Sequence, residues 1–123
     1  MNNGGKPQSY RDLLVWQKGT ALALEIYRVT QRFPSDERFG LTAQLRRAAV
    51  SVPSNIAEGQ ARRTTGEFIQ FLSHAEGSLA EVDTQIYLAQ QLGYGLEEEL
   101  SSISSQINEL RKMLNALRRS LAR

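Results

Sequence analysis

The sequence predicts an all-α fold: an up-down-up-down antiparallel four-helix bundle. Four stretches repeat their apolar residues at steps of three and four, short Pro- or Gly-containing segments separate them, and no stretch shows the strict alternation of a strand. The sustained heptad spacing further predicts left-handed packing near +20°. At 123 residues without cysteine, the chain has the size of one domain able to bury a core without disulfides or a metal.

Residues 1–8 hold Asn, Gly, Lys and Pro with no apolar period and are expected to form a mobile tail, leaving residues 9–123 for the bundle. Ser9 and Asp12 have capping-box spacing, so the first helix is expected over 10–33, stopped by Pro34. Its apolar residues fall in two rows. Leu13, Trp16, Ala23 and Tyr27 form one; Val15, Leu22, Ile26, Val29 and Phe33 form the other, on another face of the helix. A helix apolar on two sides needs two partners, which predicts contact between subunits at Trp16, Leu22, Ile26 and Tyr27.

The second helix is expected over 40–60, with a seam of Leu41, Leu45, Ala48 and Val52. Pro53 lacks an N–H and crowds the carbonyl of Ala49, predicting a kink or break there. Asn55 continues the seam as a polar residue that must find partners, and Asn55 with Glu58 is expected to be a structural polar pair. Thr64 and Glu67 have capping-box spacing and open a third helix over 65–92, with Phe68, Leu72, Ala75, Leu79, Val82, Ile86 and Ala89 in heptad order. Gly77 costs about 1 kcal/mol inside a helix relative to Ala, and close approach of another helix is the expected reason. Gly93 to Gly95 make a turn. The fourth helix, over 96–121, opens with Glu97 to Glu99 and closes with Arg118 and Arg119, the order its dipole favours.

Net charge is +2 but segregated: +5 over residues 1–63, −8 over 64–110 and +5 over 111–123. Such segregation holds subunits or helices together, or attracts a polyanion. Arg46, Arg47, Arg62 and Arg63 are the leading polyanion contacts, because guanidinium groups grip phosphate in a fork and keep their charge. The competing expectation is pairing with Glu76, Glu81 and Asp83 of the third helix. Arg118 and Arg119, with Arg111, Lys112 and Arg123, form a second basic surface, or simply complement the helix dipole. Trp16, Tyr10 and Tyr27 could stack on bases, although their spacing favours packing.

His74 has no second histidine for a metal pair and is expected to be exposed. No nucleophile-base pair, paired-carboxylate constellation or Gly-rich phosphate loop appears, so no enzyme activity, metal, cofactor or small-molecule substrate is expected. The first apolar run, Leu13 to Trp16, is too short to span a membrane, and no secretory signal pattern precedes it; a cytoplasmic location is expected.

Particular strings carry a resemblance. Tyr10 to Gln17, Ile26-Tyr27 with Thr30 and Phe33-Pro34, Phe39-Gly40-Leu41 with Gln44 and Arg46 to Ala49, Ser51 to Gly59 (SVPSNIAEG), Phe68 with Phe71-Leu72, Gly77-Ser78 and Leu92-Gly93-Tyr94 occur in this order. They resemble the four-helix-bundle proteins encoded in intervening sequences of bacterial large-subunit ribosomal RNA genes, over roughly Ser9 to Leu121. The resemblance implies a ring-like homopentamer with a central channel. More distantly, it implies kinship with accessory variability proteins of diversity-generating retroelements, which bind reverse transcriptase and nucleic acid through a basic surface. Glu76 stands where many members carry a basic residue, which implies weaker binding there or another surface. The functional expectation is therefore a non-catalytic homopentamer that binds RNA or DNA as an accessory or scaffold. The alternatives are a hub docking a protein partner such as a reverse transcriptase, or an assembly with no nucleic-acid role.

Overall fold

Ser9 accepts the Arg11 N–H at 3.0 Å while its own N–H reaches Asp12 at 3.4 Å. A computed structural model describes residues 9–123, and the tail expected over 1–8 lies outside them. The Ser9 capping box closes a single 3₁₀ turn, Tyr10–Asp12, rather than an α-helix. Leu13 is extended, and helix α1 runs Leu14–Thr30. It stops before Phe33 because Pro34 disfavours α backbone at the preceding residue; Arg32 and Phe33 turn off through N–H bonds to Val29 and Thr30, each 3.1 Å.

A second 3₁₀ turn, Ser35–Glu37, leads into α2, Leu41–Gln60. Of the kink or break expected at Pro53, the break does not occur: α2 is one helix with Pro53 inside it. Pro53 is buried against α1 at Gly19, where a built Cβ would lie 3.5 Å from the proline Cβ. Even a Cβ at Gly19 would make only ordinary contact with the ring; the burial of Pro53 against α1 offsets the lost hydrogen bond. Helix α3, Thr65–Leu92, starts where Thr64 Oγ1 accepts the Glu67 N–H at 3.1 Å. It ends at Gly93, whose φ of 75° is the left-handed cap that favours glycine. Helix α4 spans Glu97–Leu121.

Contacts between helices all run in opposite senses. Gly19 meets Pro53 and Arg46 reaches Tyr27, so α1 and α2 are antiparallel. Ser51 bonds Ser78 at 2.9 Å and Gly59 abuts Phe71, reversing α2 and α3. Lys18 pairs with Glu109, and Arg28 with Glu99, reversing α1 and α4. Each helix packs on two neighbours, in the cyclic order α1, α2, α3, α4. The described residues thus form an all-α four-helix arrangement.

The core is filled by one row from each helix, including Leu22 and Ile26 of α1, Leu45 and Ile56 of α2, Leu79 and Ile86 of α3, and Ile103 and Leu114 of α4. This corrects two expectations. Leu22 and Ile26 are 1% and 0% exposed; the chain's own helices cover them, and no second subunit can reach them. Of the expected interface residues, Trp16 and Tyr27 alone remain at the surface. Gly77 meets nothing within 4 Å of a built Cβ, so no helix of the same chain approaches it. The close approach falls instead at Gly59, where a Cβ would stand 2.6 Å from Phe71 Cβ.

At the end of the bundle near Gly40 and Gly93, Glu37 joins both connections. One carboxylate oxygen accepts the Leu41 N–H at 2.9 Å and the other the Tyr94 hydroxyl at 2.9 Å. Phe33 packs at a tilt against Tyr94 beneath them, centroids 5.5 Å apart.

Candidate functional site

Between α1 and α2 the second apolar row of α1 opens onto solvent. A groove of about 450 Å³ is lined by Tyr10, Trp16, Leu24, Tyr27, Val50 and Ala57, with Ala23 and Pro53 as its floor. The helical period explains it. Residues 16, 20, 23, 24 and 27 lie within about 100° of arc on the α2 side of α1, away from the core row. On α2 the matching positions are Val50, Pro53, Ser54 and Ala57, at steps of three and one. Leu24 escaped the sequence reading because it falls on neither row; an apolar residue stranded off every seam was the available signal.

Two arginines sit over the groove's aromatic rings. The Arg11 guanidinium lies 5.7 Å from the Trp16 centroid, and that of Arg46 4.8 Å from Tyr27. Tyr10 and Trp16 are themselves 5.3 Å apart. No acidic side chain lines the groove.

The six candidate arginines separate by what they touch. Arg46 donates from Nε to Thr30 Oγ1 at 2.9 Å and from Nη2 to the Tyr27 carbonyl at 3.3 Å. It thereby caps the C-terminal turn of α1, where the carbonyls lack helical partners. Arg118 is committed to Glu76 at 2.6 Å and Asn115 at 2.9 Å, an α3–α4 pairing of the kind weighed against phosphate binding. Arg62 reaches Glu58 at 3.8 Å and lies over the Phe71 ring at 4.7 Å. Arg119 makes only a 3.5 Å contact to Asn115. Arg47 and Arg63 are exposed and have no hydrogen bond or ion pair among the described residues. Sequence patterning could not distinguish these roles, because partner choice depends on which helix faces which.

Asn55 gives its amide to the Ser51 carbonyl at 2.8 Å and to Ser51 Oγ at 3.0 Å, and Ser51 Oγ meets Ser78. This chain ties α2 to α3. Glu58 is not part of it; it points to solvent beside Arg62. His74 is exposed, edge-on to Phe71 at 5.8 Å.

A second charged cluster, unforeseen in the sequence, joins α1 to α4. Arg28 holds Glu25 at 2.6 Å and Glu99 at 2.9 Å, and Arg32 approaches Glu99 at 3.3 Å. The Arg28 hydrogen bond holds the Glu25 carboxyl below the usual range, while Glu25 and then Glu99 raise Arg28. The cluster clamps α1 to α4 through its own charges, although Glu99 Oε1 is buried without a hydrogen bond and meets only the Arg32 ion pair. Among the described residues no group of three or more His, Cys, Asp or Glu could hold a metal ion, and no helix is long and apolar enough to cross a membrane.

The fold and these surfaces define a small four-helix-bundle protein whose distinctive feature is an open apolar groove between its first two helices. The family model of the 23S rRNA-intervening sequence protein matches residues 11–116, and the chain belongs to that family, the one its SVPSNIAEG stretch resembles. A crystal structure of a protein of unknown function from the S23 ribosomal protein family of Bacteroides thetaiotaomicron VPI-5482 is similar, with a TM-score of 0.79 at 22% identity. That match covers 86% of this chain and 96% of the other, and at such identity it shows the shared fold alone. No curated protein matches the chain.

Proposed function

We propose that this protein is a non-catalytic helical scaffold that works as a homo-oligomer joined through the α1–α2 groove, and that the assembly presents arginines to RNA or DNA. The observation that carries the reading is the groove's exposure. Leu24 is 72% exposed, Val50 43% and Tyr27 42%, contiguous with half-buried Trp16. Monomers seldom leave such a contiguous apolar surface in water without a use for it. Five as the number of copies rests on the family likeness alone.

Light scattering tests the reading directly. The wild-type chain should run at a multiple of 13.8 kDa. Leu24→Asp, which would bury an unpaired carboxylate in the contact, should weaken assembly about 100-fold or more and yield a folded single chain. A wild type that stays single at micromolar concentration sinks the proposal.

Arg47 and Arg63 favour the nucleic-acid part, since both are exposed without an acid to hold them. Arg46 supports it less, being engaged at the α1 terminus. The discriminating variant is therefore Arg47→Ala with Arg63→Ala, which should lose binding while keeping assembly.

A further inference from the structure

Resting on the homo-oligomer reading, we infer that the surface received by the α1–α2 groove is the outer face of α3 on the next copy, so that the contact joins two unlike surfaces. The groove cannot comfortably meet itself. Arg11 and Arg46 lie over its aromatic rings and no acid lines it, so a symmetric contact sets arginine against arginine in a drying interface. The complementary surface must be apolar, flat and acidic.

The outer face of α3 has those properties. At about 100° per residue, Ser73, Gly77, Ala80, Thr84, Tyr87 and Leu88 fall on one face, opposite the buried row of Leu72, Leu79 and Ile86. Ser73, Gly77, Ala80 and Thr84 are small and leave the face flat, and the two large residues at its C-terminal end are open: Tyr87 is 59% exposed and Leu88 45%. Exposed Glu81 and Asp83 flank the stripe on its two sides, within a segment, 64–110, that holds eight acids and no Lys or Arg. Gly77 adds an independent argument. A mid-helix glycine is unfavourable, nothing in its own chain comes within 4 Å of a built Cβ, and a helix from another copy supplies the missing close approach. Arg11 and Arg46 would then face Glu81 and Asp83 across the contact.

A contact between unlike surfaces repeats head to tail and closes into a ring if its rotation permits. It also has a signature that a symmetric contact lacks. Thr84→Arg puts a base on the α3 face at an exposed position and should release single chains, as should Leu24→Asp. Mixed in equal amounts, the two variants retain one intact groove and one intact α3 face per pair, and should form a species of twice the chain mass and no larger. Since the chain has no cysteine, Leu24→Cys and Gly77→Cys each add a lone thiol. A short bis-maleimide should link the two variants to each other in a mixture, and neither to itself. Circular dichroism verifies that each variant is folded, and the two cysteine variants remain informative if a charged one is not.

If the wild type is a single chain, the homo-oligomer reading fails and takes this inference with it. If the wild type assembles and Leu24→Asp does not, but Thr84→Arg assembles normally or Leu24→Cys links to itself, the inference alone is overturned.

Discussion

Glu37 shows how much a single side chain can hold. It accepts the Leu41 N–H and the Tyr94 hydroxyl, and these bonds, the backbone one first, lower its pKa from the ordinary 4.5. The same contact raises Tyr94 from 10.0. The signs follow from linkage. Stability supplied by a depressed carboxyl is present above its ordinary value and lost as pH falls through the folded one. Stability supplied by a raised phenol is present below its ordinary value and lost as pH rises through the folded one. Thermal melts across both ranges should therefore show wild type losing stability more steeply than Glu37→Gln in acid and more steeply than Tyr94→Phe in strong base. Equal slopes in acid would mean that Glu37 does not couple its turn to protonation. The Glu25–Arg28 pair, unchanged in both variants, contributes equally to each curve.

At the scale of helices, glycines reveal where surfaces meet. Gly59 ends α2 against Phe71 and Phe68, with built-Cβ distances of 2.6 and 3.0 Å, whereas Gly77 has open space. Gly59→Ala should destabilise the chain by about 1–3 kcal/mol through overpacking, even after the gain in helix propensity. Gly77→Ala should stabilise it by up to about 1 kcal/mol. Urea unfolding in the single-chain Leu24→Asp background reads both without interference from assembly, and the same sign for both would overturn the contrast. The four amphipathic patterns were legible because each core row repeats with the helical period, down to Leu114 in α4. Within one chain the close approach falls at Gly59 rather than Gly77, because sequence shows that a Cβ is missing but not what faces the gap. For the same reason Pro53 read as a break: its compensation lies on α1, at Gly19, 34 positions away. The two-row pattern of α1 signals two apolar sides, yet residues of both rows, Leu22 and Ile26 among them, are expected at the subunit contact, since periodicity separates faces without saying which is inward.

For the whole molecule, the charge segregation of the chain acquires a direction once copies are joined. If the acidic face of α3 is covered by the groove and arginines of the next copy, its negative field is spent inside the assembly. Arg47, Arg63 and Arg119 remain outward, repeated once per copy. Affinity for nucleic acid then depends on the number of copies. Each phosphate neutralised on a single strand contributes about 0.7 to the slope of log K against log salt, so three arginines on one chain give a slope of only about 2, and several copies give a multiple of it. Binding of single-stranded RNA by the wild-type assembly should accordingly fall steeply with salt, and the single-chain Leu24→Asp variant should show a shallow slope and far weaker binding. Arg47→Ala with Arg63→Ala should flatten the slope of the assembly without changing its mass, because neither side chain has a hydrogen bond or ion pair among the described residues. Equal slopes for assembly and single chain would remove multivalency from the mechanism. Absence of binding by the assembly even at low salt would remove nucleic acid itself, leaving a scaffold whose exposed arginines serve a protein partner.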